Sequence, residues 1–481
     1  MLDNILRKLL SVDRENRLLI FIGEDIGEVI NLRGLLLSCG YSFYEYRHVE
    51  TFRVLYEEQI KHNNARVAIV VARDIYVPYD LRRAFYEVSI SASTLFPNLN
   101  ADVVMRYRYD WDIVSFAVLQ SYADFSQAKQ TENFISDVVF SYDLIERYYY
   151  EAIEKMKLAC ESARSYQDWI PIAKNKASIE YYAAMKNVKI DMSYTDDSFG
   201  TFITDGYSRL SSEVNNETPP IVTKAWSVIM ADKNAKSALI VMDGMSLFDF
   251  KVISQHFGDI KYDYGCTYAL IPTTTPISRQ SLLSGKYPRE LPKPFSLVNE
   301  EKEFKSMVTS FGLTPAQVDY LSGYEAEISP LSKVIAIVIN EVDDITHGQH
   351  QDRTGMWGDM DLLGRSGKLQ GLIKKLTALG YSTYITSDHG NTLCTGVGGF
   401  RSGVEVESRS KRMAILKGFA ETNTLLKEHA TEYPGFYLDQ EYRYFVCKNG
   451  VSFDHKGDSV MTHGGTSIDE VIVPFIKVRR G

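Results

Sequence analysis

Short apolar runs punctuate this chain, each followed by a polar turn, and they set out its architecture before any single residue does. Residues 18–22, 65–72, 238–242 and 334–339 are rich in β-branched and aliphatic side chains and are continuous rather than alternating. That pattern belongs to strands buried on both faces of a parallel sheet. Residues 41–46 and 380–386 are strand-like as well, while residues 26–39 carry apolar side chains at helical spacing and close on Gly40. The early alternation of strand and helix predicts a small α/β domain of receiver or Rossmann type over residues 1–110. From 111 to 231 the strand signal fades; residues 141–156 repeat aromatic and aliphatic side chains every three or four positions, which predicts a helical connector. The strand pattern returns over 232–481, so the fold class is α/β, with a central, mostly parallel sheet flanked by helices. Within that part, the polar, proline-punctuated residues 286–330 read as an insertion over the sheet edge. Pro474, inside the apolar stretch 468–476, predicts an edge strand, because proline cannot donate to a ladder.

Composition narrows the class without naming it. The 481 residues suffice for two or three domains. Acidic residues outnumber basic ones, 62 to 53, for a formal charge of −9; a protein coated with a nucleic-acid-binding surface would be basic. A local basic groove stays compatible with that total. Five cysteines, scattered and odd in number, form no C-x-x-C pair, which points to a reducing compartment rather than a disulfide framework. Residues 1–10 mix charge with apolar residues at helical spacing and show no signal-peptide pattern, and no apolar run approaches the roughly 18 residues needed to span a bilayer. The expectation is a soluble, cytoplasmic protein with no membrane partner.

The candidate chemistry sits where the buried runs end. Asp243 follows the run 238–242, at the carboxyl edge where open α/β sheets place their ligands. Asp343 and His347 follow the run 334–339, four residues apart, so one helical turn would aim both at one metal ion. Asp388 and His389 follow 380–386, and His463 precedes two glycines, where backbone can approach a ligand. Singly, each is most simply a helix cap or a hydrogen-bonded turn residue; their order and shared placement make the metal reading the stronger one. Glu24, Asp25 and Asp74 sit where a receiver holds its acidic pocket, although caps at strand-to-helix turns account for them more simply.

The segment Pro272-Thr-Thr-Thr-Pro-Ile-Ser-Arg279, with Ser284-Gly285 beyond it, resembles the nucleophile segment of the alkaline phosphatase superfamily, in which Thr275 is the match and Thr273 and Thr274 are neighbours. With Leu239-Ile-Val-Met-Asp-Gly-Met-Ser246, Ser387-Asp-His-Gly390 and His463-Gly-Gly-Thr-Ser-Ile-Asp-Glu-Val-Ile-Val-Pro474, the chain from 237 onward resembles the PglZ family. That resemblance implies an alkaline-phosphatase-like fold, with Asp343, His347 and His463 holding one divalent ion and Asp243, Thr275, Asp388 and His389 another. Zinc suits the mixed carboxylate and imidazole ligands best, and manganese is the alternative. It further implies a hydrolase acting on phosphate esters, a phosphodiesterase for nucleotide or nucleic-acid substrates with Thr275 as nucleophile and Arg279 as its catalytic partner. Lys286, Arg289, Lys411 and Arg412 are the expected substrate contacts. The implied setting is a bacterial phage-defence system of BREX type, or signalling, with other defence proteins as partners. Two alternatives stand beside it: a metal-stabilised scaffold with little turnover, and a phosphomonoesterase.

Overall fold

The computed structural model describes the chain except residues 10–16, 23–31, 47, 72–74, 89, 122, 233–234, 350, 401–409, 418–421, 423 and 480–481. It divides into two compact units, Met1–Tyr148 and Tyr149–Gly481. The division falls within the helix Tyr142–Ser162, whereas the changes of sequence pattern lie near 110 and 231.

The first unit contains a four-stranded sheet of β1 (Leu18–Ile22), β2 (Tyr41–Tyr46), β3 (Arg66–Val71) and β4 (Tyr86–Val88), ordered β2-β3-β1-β4 and parallel throughout. Its core packs Ile20, Val67, Ile69 and Val71 against Phe52 and Phe85. Glu24, Asp25 and Asp74, the positions a receiver would use, lie outside the described residues.

The second unit is built on a six-stranded sheet. Its strands are β5 (Ser237–Met242), β6 (Tyr262–Tyr268), β7 (Val318–Ser322), β8 (Val334–Ile339), β9 (Ser382–Thr386) and, last in the chain, β16 (Ile472–Val478), in the order β6-β16-β9-β5-β8-β7. The four strands β9, β5, β8 and β7 run parallel, and β16 is antiparallel to both its neighbours. Every residue of β5 and β8 is buried, as their continuous apolar runs require. Truncating one such side chain, for example Ile240→Ala, costs about 2–5 kcal/mol by transfer and cavity terms.

Two expectations about this sheet are corrected. Pro474 does not mark an edge, because β16 lies between β6 and β9. Its pairing with β9 begins only at Phe475, so the missing N–H forfeits no bond to that strand, and the Pro474 carbonyl accepts from the Thr386 hydroxyl at 2.7 Å. Residues 286–330 are more than an insertion over the edge, since they supply the edge strand β7 itself.

Two smaller sheets flank this one. β10 (Thr392–Gly396) lies between β14 (Val451–Ser452) and β15 (Ser459–Thr462), while β11 (Met413–Lys417), β12 (Ala430–Tyr433) and β13 (Tyr442–Cys447) form an antiparallel trio. Pairing Thr392 with Thr462 puts the turn 388–391 beside His463.

Candidate metal centre

Three carboxylates and three imidazoles gather at the carboxyl edge of the parallel strands. Asp243 is the first residue after β5, its N–H bonded to the Ile339 carbonyl at the end of β8. Gly244 follows at φ +73, a conformation that L side chains avoid, and a Cβ there would meet the Asp343 carboxylate at 3.3 Å. Asp343 and His347 lie one turn apart on α1 (Glu341–Gly348), as the spacing predicted. Asp388 and His389 come one residue after β9 and are fully buried, as is His463.

These six residues form two groups of three, Asp343 with His347 and His463, and Asp243 with Asp388 and His389; within each, the ligand atoms lie within 4.8 Å of one another. In the first group Asp343 Oδ1 stands 3.2 Å from His347 Nε2 and 3.4 Å from His463 Nε2, and the two nitrogens are 3.0 Å apart. In the second, His389 Nε2 is 3.7 Å from both Asp243 Oδ1 and Asp388 Oδ2. The groups adjoin, because the rings of His389 and His463 stack at 4.1 Å between centroids.

The chemistry of these donors fits divalent ions. His389 Nδ1 faces the Gly390 carbonyl at 3.0 Å, and His463 Nδ1 faces the Thr273 carbonyl at 2.9 Å. A carbonyl can only accept, so each Nδ1 carries the proton and each Nε2 presents a lone pair to its group, the tautomer a metal ligand needs. Asp388 Oδ2 is buried with no hydrogen-bond partner. Burial, compounded by the neighbouring Asp388, pushes the Asp243 carboxyl well above the usual carboxylate range against the pull of Arg279. Burial also opposes the charge on Asp343, while His347 and His463, when protonated, hold that carboxyl well below the usual range. Burial lowers the His389 pKa, with Asp388 pulling the other way. Carboxylates crowded out of water with too little counter-charge are what a cation would relieve.

Thr275 is the first residue of α2 (Thr275–Ser284), after an extended Thr274 and with Pro276 in the first turn, the placement proline favours. Its Oγ1 lies 3.0 Å from His389 Nε2 and 3.4 Å from Asp243 Oδ1. Arg279, one turn further along α2, does not point into open space. Its Nη1 donates to Asp243 Oδ2 at 2.5 Å and to Asn340 Oδ1 at 3.2 Å, and its Nε to Glu300 Oε2 at 3.0 Å. Tyr320 donates to the other Glu300 oxygen at 2.5 Å.

Two of the four expected substrate cations, Lys286 and Arg412, are engaged in ion pairs with Glu303 and Glu470. Arg412 is corrected outright: it is fully buried and ion-paired with Glu470. Lys286 and Arg289 follow the far end of α2, whose ten residues span about 15 Å from Thr275; Lys286 pairs there with Glu303 at 2.6 Å. Lys411 is half-buried, its carbonyl accepting from Phe453 N–H. The sequence reading passed over Glu300, Asn340 and Glu470. Glu300 opens an acidic helical turn, Glu300–Thr309, that reads as a solvated face. Glu470 was accessible through the capping box that it forms with Ser467.

The fold and this site define a phosphoester hydrolase of alkaline-phosphatase-like architecture. Within that class the chain belongs to the PglZ family: the family model described as the BREX system PglZ alkaline phosphatase-like domain matches residues 223–478, more than half of the chain. No curated protein matches the sequence. Solved structures similar to part of the chain include murine ectonucleotide pyrophosphatase/phosphodiesterase 5, at 13% identity over 50% of this chain and 87% of that one, with a TM-score of 0.34. They also include the phosphonoacetate hydrolase of Sinorhizobium meliloti 1021 in complex with phosphonoacetate, at 10% identity over 51% of this chain and 90% of that one, with a TM-score of 0.32. No described helix is long and apolar enough to cross a membrane.

Proposed function

We propose that this protein is a metal-dependent phosphodiesterase in which Thr275 is the nucleophile, serving a bacterial phage-defence system of the kind its family description names. The observation that carries the reading is the placement of Thr275 Oγ1, buried at a helix N-terminus and within 3.4 Å of both His389 and Asp243. Asp343, His347 and His463 would hold one divalent ion, and Asp243, Asp388, His389 and the Thr275 oxygen the other. When bound, such ions, zinc by ligand type or else manganese, supply Lewis-acid activation of the nucleophile and neutralise charge on the leaving oxygen.

The chain's own residues do the rest. The positive end of the α2 dipole lies where Thr275 stands and favours an anion there. Thr275 Oγ gives up its proton and forms a bond to phosphorus as the bond to one ester oxygen breaks and that oxygen leaves, protonated, as an alcohol; water then cleaves the resulting threonyl phosphodiester at the Thr275 oxygen, frees a monoester and restores the hydroxyl. Arg279 keeps Asp243 in place, and burial of Thr275, Asp388 and His389 limits water to the reacting face.

Charge favours a diester. Asp243, Asp343 and Asp388 bring three negative charges to the centre, and Arg279 is already shared between Asp243 and Glu300. Two divalent ions would leave this set at about +1, and at about zero once Thr275 is ionised, which suits a monoanionic diester better than a dianionic monoester. The test pairs metal analysis with kcat/KM for bis-p-nitrophenyl phosphate and for p-nitrophenyl phosphate, adding short oligonucleotides. The diester should be preferred. A clear preference for the monoester overturns the diester reading, and two bound ions with no turnover would make the protein a scaffold.

A further inference from the structure

Building on the metal-dependent reading of the site, we propose that Glu470, backed by Arg412, is a positioning residue that locks the nucleophile loop and the His463 loop together. Both side chains are fully buried. The two carboxylate oxygens face different partners. Oε1 accepts from Gly465 N–H at 2.8 Å, with the Thr273 hydroxyl at 3.4 Å. Oε2 accepts from Ser467 N–H at 3.0 Å, from Ser467 Oγ at 2.6 Å and from the Arg412 guanidinium. Arg412 is itself fixed, donating through Nε to the Val451 carbonyl and through Nη2 to the Lys448 carbonyl, both at 3.1 Å. It lies so close beneath the loop that a Cβ on Gly465 would stand 2.8 Å from the guanidinium carbon.

From Glu470 the contacts lead directly to the site. The Thr273 hydroxyl donates to the Gly465 carbonyl at 3.0 Å and accepts from Gly464 N–H at 3.1 Å. The Thr273 carbonyl holds Nδ1 of His463, and Thr273 lies two residues before Thr275. The Glu470 carbonyl also accepts from Gly390 N–H at 2.9 Å, beside His389. The buried carboxylate therefore ties residues 273–275 to 463–465, and the backbone carbonyl of the same residue holds 388–390. Glutamine cannot replace it without loss, because both oxygens must accept and a buried guanidinium would lose its counter-charge.

The test compares Glu470→Gln, Thr273→Val, Thr273→Ser and a core control remote from these loops, Leu372→Ala, for melting, for zinc affinity by chelator competition, and for kcat and KM. Partners behind metal ligands typically contribute 10–100-fold to metal affinity or activity. Glu470→Gln and Thr273→Val should therefore weaken binding of one of two ions by about that factor and lower kcat with KM little changed. Thr273→Ser should bind as wild type, and Leu372→Ala should melt earlier with its zinc affinity intact. If Glu470→Gln fails to fold, the Thr273→Val and Thr273→Ser pair decides the matter. Wild-type zinc affinity and kcat in Glu470→Gln, or an equal loss of affinity in Leu372→Ala, overturns the proposal. Wild-type protein that binds two ions but cleaves no ester overturns the esterase reading alone, with the affinities still deciding the role of Glu470; wild-type protein that binds no ion overturns both.

Discussion

Replacing Arg279 by methionine separates two roles that an arginine near a nucleophile can play, gripping the substrate phosphate or holding a ligand in place. The side chains of Arg279, Asp243 and Glu300 are 8%, 5% and 4% exposed, so the ion pairs they form are buried. Removing one partner of a buried pair costs about 3–5 kcal/mol, because the other charge is left without compensation. Glu300 then loses its charged partner, while Asp243, whose carboxyl burial already pushes up, can take a proton, so the metal-free protein falls within that range. Tyr320 still donates to Glu300 and softens the loss. Adding Glu300→Gln to Arg279→Met removes one orphaned charge and should recover about 0.5–3 kcal/mol, the usual coupling between contacting residues. Urea unfolding of metal-stripped protein measures both values, and steady-state kinetics on the reloaded enzyme should show kcat falling about 10–100-fold with KM little changed. A stability within about 1 kcal/mol of wild type, together with a KM raised more than about tenfold, would refute the positioning role and make Arg279 the phosphate clamp.

Thr275→Ala should lose turnover while keeping a cooperative melt, since the hydroxyl contributes only about 1 kcal/mol of hydrogen bonding; turnover at the wild-type rate would remove it as nucleophile. Thr274→Ala should be nearly silent in activity, because that hydroxyl is buried without a hydrogen-bond partner, but Thr273→Ala should not be, for its hydroxyl bridges Gly464 and Gly465. Asp388→Ala should lose one of two bound ions, read by metal analysis after dialysis; full stoichiometry would exclude Asp388 as a ligand. Burial, with Asp469 and Glu180 nearby and despite Lys176, raises the Asp196 carboxyl to about 7. The folded state then keeps a proton that the unfolded chain gives up near pH 4. The stability that Asp196 contributes is thus full at low pH and falls, by up to a few kcal/mol, as pH rises through about 7. Asp196→Asn should remove that slope from urea midpoints measured across pH 5–8, and an unchanged slope would contradict the assignment.

The sequence made the central sheet legible because β5 and β8 are buried on both faces, and such strands must be apolar without interruption. Their carboxyl ends carry Asp243 and Asp343, and the four-residue interval to His347 survived as one turn of helix. Less was legible wherever function depended on pairing between distant strands. The small sheet that joins β10 to β15 has no strong apolar run; Thr392 to Gly396 reads simply as a polar turn. Yet that pairing seats His463 against His389. Arg412 misled for a related reason: a guanidinium in a loop and one paired inside a core look alike until Glu470 is found beside it.

The position of His463 before a strand of the central sheet, when the other ligand candidates follow strands of that sheet, has a geometric cause. Strands β9, β5 and β8 are adjacent and parallel, so Asp388, Asp243 and Asp343 emerge at the same edge from strands roughly 4.8 Å apart. That spacing is close enough for side chains from neighbouring strands to share an ion. β16 enters beside β9 in the opposite direction, so its beginning, not its end, lies at that edge. A residue delivered there by the chain must therefore precede β16. His463 does, separated from Ile472 only by the Gly464-Gly465 turn and the short helix Ile468–Val471 that carries Glu470. The same reversal explains why Glu470 can reach three loops at once: it lies where an antiparallel strand begins among the ends of parallel ones.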